Sequence, residues 1–242
     1  MNICRDCLSV HVCYMRCQIM NELFPSIEFK IGRRRIPPAT RKWLTKKTEY
    51  LTNIWLEKGL GLLRSIEEQC GFGFPAKTIS EGMIVYIFRQ KNSDDLGDMD
   101  ETRPLECNIY VSKRDTWRDI KAPLVHELIH CLMWQKVYFD VRTAKPTFFA
   151  DVFADELMAS VVECLVLGRK PSYDTCDDAI DYALEEAVAR LIDTDEREKL
   201  VEALMGFFKE YCSKMKHKES NILKERENVL GRLPSLIPET ID

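Results

Sequence analysis

Two of the chain's four histidines stand four residues apart, at His126 and His130, with Glu127 beside the first. On a helix that spacing stacks the two imidazoles one turn apart on one face. Imidazoles so placed can bind one zinc ion, and the adjacent carboxylate can take a proton from water. A catalytic zinc needs a third protein ligand and an open position. The other histidines are poorly placed to supply it: His11 lies among amino-terminal cysteines and His217 in the polar run Ser213–Lys218. The third ligand is therefore expected to be a carboxylate. The stretch Phe148 to Leu167 reads as a helix carrying Asp151, Asp155, Glu156 and Glu163. Asp151 and Asp155, one turn apart, suit its wet face, whereas Glu156, Ser160 and Glu163 share a stripe with Ala159. Glu156 and Glu163 lie roughly 10 Å apart along such an axis, so one ion cannot take both.

A second candidate cluster opens the chain. Cys4, Cys7, Cys13 and Cys17 place four thiols within fourteen residues. Four thiolates can close a second zinc site or hold an iron–sulfur cluster. The same spacings also suit one helix face on which cysteines pack as small hydrophobes. Ten cysteines behind an amino terminus without a secretory pattern predict a reducing, cytoplasmic setting and no structural disulfides. No apolar run is long enough to span a bilayer, so no membrane partner is expected.

Net charge is −4 but unevenly spread. Residues 30–47 carry Lys30, Arg33, Arg34, Arg35, Arg41, Lys42, Lys46 and Lys47 and no acid. Such a run is either a solvated face or a contact for nucleic acid, whose phosphates lysine and arginine neutralise.

The candidate residues need elements to hold them. Thr40 to Cys70 has apolar residues at helical spacing, with Gly59 and Gly61 expected to bend or split the helix. Gly71 to Pro75 closes it. Two strands are expected, Met83–Phe88 and Cys107–Val111, joined as a hairpin across an acidic loop holding Asp94, Asp95, Asp98, Asp100 and Glu101. That loop lacks the EF-hand spacing for calcium. The histidine motif falls on a broadly apolar helix, Ala122 to Val137, with Pro123 in its first turn. In such surroundings His126, Glu127 and His130 are costly unless paired or bound to metal. Amphipathic helices follow over Asp177–Ile192 and Glu196–Tyr211, and the chain then turns polar.

The His126-Glu127-x-x-His130 motif followed by Glu156-Leu157-Met158-Ala159-Ser160 resembles the gluzincin branch of the zincin metallopeptidases, with the ImmA/IrrE-type peptidases the nearest in flavour. The resemblance covers about Pro123 to Leu167. It implies that His126, His130 and Glu156 bind zinc and that Glu127 is the catalytic base, with Glu163 the alternative third ligand. Ser160 stands where those families usually carry an Asp or Asn that hydrogen-bonds a ligand histidine. It further implies a substrate strand added along Asn108 to Val111. Tyr138, Tyr173, Tyr182 and Arg190 are the candidate donors to the oxyanion.

The expected fold is α+β, mostly α: a zincin-like metallopeptidase domain with a small sheet before the motif helix and a helical carboxy-terminal part. Its expected divisions are a cysteine module (1–20), a basic proline-containing linker (21–39), the peptidase domain (40–212) and a polar tail (213–242). The expected function is zinc-dependent hydrolysis of peptide bonds in an intracellular protein. The alternative is a non-catalytic zincin-fold protein that regulates, or binds nucleic acid through residues 30–47 and the cysteines.

Overall fold

The computed structural model describes residues 24–32, 35–90, 97–99, 103, 105–137, 149–177, 179–181, 183–184 and 194–233. Cys4, Cys7, Cys13 and Cys17 lie outside the described residues, as do Arg33, Arg34, Tyr138, Tyr182 and Arg190. Helix predominates beside one four-stranded sheet, in agreement with the α+β, mostly α expectation. The chain divides into two compact units, Met1–Leu63 with Phe74–Ile120, and Arg64–Gly73 with Lys121–Asp242. The stretch 40–212 thus contributes to both.

In the first unit, strand β1 (Ile27–Ile31) lies inside the stretch expected to be linker. Helix α1 (Pro38–Cys70) opens on a proline, whose missing N–H costs nothing in a first turn. Leu44, Leu51, Trp55 and Leu62 form its buried stripe. The helix runs unbroken through Gly59 and Gly61, contrary to expectation. Gly59 serves packing instead: a Cβ there would lie 2.3 Å from the Trp55 ring. Trp55 in turn meets Phe29 of β1 edge to face, with ring centroids 5.9 Å apart. Short helix α2 (Ala76–Glu81) then leads through Gly82, at φ 74°, into the sheet.

Strands β2 (Met83–Arg89), β3 (Gly97–Met99) and β4 (Glu106–Val111) complete the sheet in the order β1-β2-β4-β3. Strands β1, β2 and β4 are parallel, and β3 alone is antiparallel. This corrects the expected hairpin between Met83–Phe88 and Cys107–Val111. The hairpin partner of β4 is β3, drawn from the acidic stretch, with Asp98 opposite Asn108. Asp98 accepts a hydrogen bond from the Tyr110 hydroxyl at 2.6 Å and another from the Asn108 amide. An unbroken apolar run such as Met83–Phe88 suits a central parallel strand, flanked on both sides. Because β3 pairs with Cys107 to Ile109, the stretch Asn108–Val111 is not the free edge expected for an added strand.

Helix α3 (Trp117–Val137) carries the histidine motif and starts five residues earlier than expected. Thr116 is the reason. Its backbone N–H and its hydroxyl both donate to Asp119, each at 2.7 Å. These two bonds, both accepted by the Asp119 carboxylate, fix the helix start and, with burial opposing weakly, hold that carboxyl below its usual range. Pro123 consequently falls in the second turn.

The second unit is helical. Helix α4 (Phe149–Leu167) is buried from Phe153 to Cys164 except at Asp155 and Glu156. It packs against α5 (Thr194–Lys216) and α6 (Ile222–Arg232). Leu200, Leu204, Phe207 and Phe208 make the buried face of α5, as their spacing predicts. Of the helix expected over Asp177–Ile192, the described residues from Asp177 to Leu184 are helical. The polar tail is corrected over Ile222–Arg232, where Ile222, Glu225, Arg226 and Val229 form a buried stripe at helical spacing. Arg226 donates to Asp155 at 2.6 Å and to Asp151 at 2.8 Å. Those two aspartates hold α6 against α4 and do not form a wet face. Among the described residues, no helix is long and apolar enough to cross a membrane.

Candidate metal centre

Helix α3 presents His126 and His130 on one face, and α4 brings Glu156 to them. His126 Nε2 lies 2.9 Å from His130 Nε2, and Glu156 Oε2 lies 3.2 Å and 3.3 Å from the same two atoms. Ligand bonds of about 2.0–2.1 Å in a tetrahedron place donor atoms about 3.3 Å apart. The triangle is close to that size, and a point about 2 Å from every corner lies just off its plane. The buried His-His-Glu group could therefore hold a metal ion. Two lone-pair nitrogens facing one another also have no reason to approach so closely unless a cation or a proton lies between them.

Glu163, the alternative third ligand, stands on the far side of the same imidazole. Its Oε2 lies 3.2 Å from His126 Nδ1, and its Oε1 accepts from Arg169 Nη1 at 2.9 Å. A carboxylate there accepts the Nδ1 proton, fixes the tautomer that leaves Nε2 free, and makes that nitrogen more basic. The two-turn gap between Glu156 and Glu163 is thus bridged by one imidazole ring. The carboxylate that meets His126 Nδ1 is thus Glu163. Ser160 is buried on the same stripe.

Arg169 reaches Glu163 because α4 ends in a tight reversal. Gly168 adopts φ 64°, its N–H donates to Leu165 O at 3.2 Å, and the Arg169 N–H donates to Cys164 O at 2.8 Å. This is the Schellman pattern, which needs a residue at ease in the left-handed region. Gly168 and Arg169 were legible only as a helix terminator. The line from Arg169 through Glu163 to His126 is a part of the site that sequence reasoning missed, and the stripe shared by Glu156 and Glu163 was its only signal.

The electrostatics follow from burial and charge. Burial pulls His126 toward its neutral form, but the hydrogen bonds to Glu156 and Glu163 outweigh it and hold its pKa well above the usual value. His130 is raised for similar reasons: burial opposes, and the charge and hydrogen bond of Glu156 prevail. Burial would raise Glu156, yet His130 and His126 hold it well below the usual carboxylate range. The centre is built around a positive charge. Glu127, 6% exposed, adds its own negative charge toward both histidines.

Among the candidate oxyanion donors, Tyr173 is described, and its hydroxyl donates to Asp181 at 2.6 Å. That bond to a carboxylate pushes its pKa up to about 12. No protein-family model, curated protein or solved structure matches the chain.

Proposed function

We propose that the chain is a zinc-dependent peptidase of the gluzincin type, with a zincin-like arrangement of the motif helix and its partner. The observation that carries this reading is the triangle of His126 Nε2, His130 Nε2 and Glu156 Oε2, with Glu127 next in sequence to its first corner. Two imidazoles and one carboxylate are a donor set suited to zinc and leave a fourth position open. When bound, zinc supplies a Lewis acid that makes water acidic near neutral pH and polarises a carbonyl.

The chain's own residues do the rest. Glu127 accepts the proton of the attacking water and returns it to the leaving amine. Glu163 keeps the Nδ1 proton of His126 in place, which leaves the Nε2 lone pair free for a metal to take. Arg169 balances the charge of Glu163 from the solvent side.

Metal content and hydrolysis measured together test the proposal. Wild-type protein is expected to hold about one zinc at this centre and to cleave a denatured protein substrate. Glu127→Gln should keep the metal and lose the cleavage by several orders of magnitude. Zinc-loaded wild type that cleaves no peptide bond would favour the non-catalytic alternative.

A further inference from the structure

A cleft of about 690 Å³ opens in the first unit, where β2 and β4 end and α1 begins. Its lining brings together four cations from three separate segments: Lys42 and Lys46 from the first turns of α1, Arg89 from the end of β2, and Lys113 just beyond β4. Among the described residues, no carboxylate lines it. All four cations are exposed, and none is in an ion pair with a described residue. Four positive charges around one concavity, with no described carboxylate among them, repel one another, and water or an anion relieves that repulsion.

Three further observations point to the kind of anion. Thr40, in the first turn of α1, is 8% exposed and lines the cleft. Its hydroxyl is a donor of the kind that phosphate oxygens accept from. Position in the fold is the second. The cleft lies outside the carboxyl ends of parallel strands and at the start of a 33-residue helix. Crevices there collect ligands, and free N–H groups with the helix dipole favour phosphate. The third is Trp43, half-buried in the lining, which offers an aromatic surface on which a base can stack.

We propose that this cleft binds a nucleoside polyphosphate, with Lys42, Lys46, Arg89 and Lys113 on the phosphates, the Thr40 hydroxyl donating to a phosphate oxygen, and Trp43 against the base. A nucleoside di- or triphosphate carries about three to four negative charges near neutral pH, which matches the four cations, whereas a single phosphate leaves half of them unmatched. The volume falls within the range of about 300–1,000 Å³ common to small-ligand sites. This inference does not depend on the zinc-peptidase reading.

The test is ADP binding by calorimetry to the full chain, compared across wild type, Lys42→Gln/Lys46→Gln, Arg89→Gln and Trp43→Leu. All of these keep the His126 centre, so any binding of ADP through a metal there is common to them all. The charge variants should weaken ADP at least tenfold with an unchanged thermal midpoint, since the side chains are exposed. Trp43→Leu should weaken ADP while leaving inorganic pyrophosphate unaffected. Absence of ADP binding at millimolar concentration, or binding indifferent to the charge variants, overturns the proposal. Pyrophosphate binding as tightly as ADP overturns its nucleoside part. A single-stranded RNA that binds more tightly than ADP and falls off steeply with salt would replace it with a nucleic-acid site.

Discussion

Glu156 and Glu163 have the same chemistry and share a helix stripe, yet they meet opposite nitrogens of one imidazole. Their substitutions should therefore separate. Glu156→Ala removes a donor at the triangle and is expected to abolish tight metal binding. Glu163→Gln keeps an oxygen that can accept the Nδ1 proton but removes its charge, and should weaken affinity by about 10–100-fold. Competition against a chelator of known affinity measures both. Equal loss in the two variants would contradict the division into a donor at the triangle and a carboxylate behind His126. Affinity in either protein should also fall as pH falls, because protons compete for His126 and His130. The sequence identifies the four participants by type and spacing. It does not tell which nitrogen each carboxylate meets, because that depends on how α3 and α4 cross, and a stripe on one helix says nothing about the angle of the next.

Helix α1 offers a paired test at the scale of the element. Gly59 is buried, and a Cβ there would collide with the Trp55 ring, whereas Gly61 is exposed with nothing within 4 Å of a Cβ. Replacing a helical glycine by alanine is worth about 1 kcal/mol where space allows. Gly61→Ala should thus raise stability by about 1 kcal/mol, and Gly59→Ala should lower it, as read from urea midpoints. If both stabilise, Trp55 does not need the gap. The two glycines look alike in the sequence because both break the same periodic pattern, and only the path of the Trp55 side chain distinguishes them. The strands show the same limit. Met83–Phe88 and Cys107–Val111 were readable as strands from their β-branched and aromatic content. Their parallel pairing was not, since the connection between them reads as a solvated acidic loop and β3 within it has only three residues. The α6 stripe was obscured because its buried positions include Glu225 and Arg226, which composition assigns to the surface.

For the molecule as a whole, acid should weaken the fold before base does. Glu225 is buried, which would raise its pKa, yet Ser220, the hydrogen bond from Asn228 and the charge of Lys214 hold it below the usual carboxylate range, and Lys214 with Arg232 does the same for Glu210. A carboxylate depressed in the folded state contributes stability that is present above its unfolded pKa and lost as pH falls through its folded one. Urea midpoints should accordingly hold steady from neutral pH down to about 4.5 and then decline, less steeply in Glu225→Gln. A profile that is flat into acid would remove this pair from the account. Metal should act on the second unit, which contains Trp134 and none of the other tryptophans. Zinc at about a hundredfold excess over its dissociation constant adds about 2.7 kcal/mol to the state that binds it, so the Trp134 unfolding midpoint should rise. The basic cleft shows how far legibility extends at this scale. Lys42 and Lys46 stood out within a charged run, but Arg89 and Lys113 join them only once the sheet is assembled. The turn at Gly168 reaches further than its size suggests. It delivers a half-exposed guanidinium to the carboxylate behind His126, so ionic strength and surface chemistry have a route to the buried centre. If the triangle of His126, His130 and Glu156 holds a metal, a chain altered only at Gly168 should hold it less firmly, and the lesion would sit at a residue with no side chain, away from all three donors.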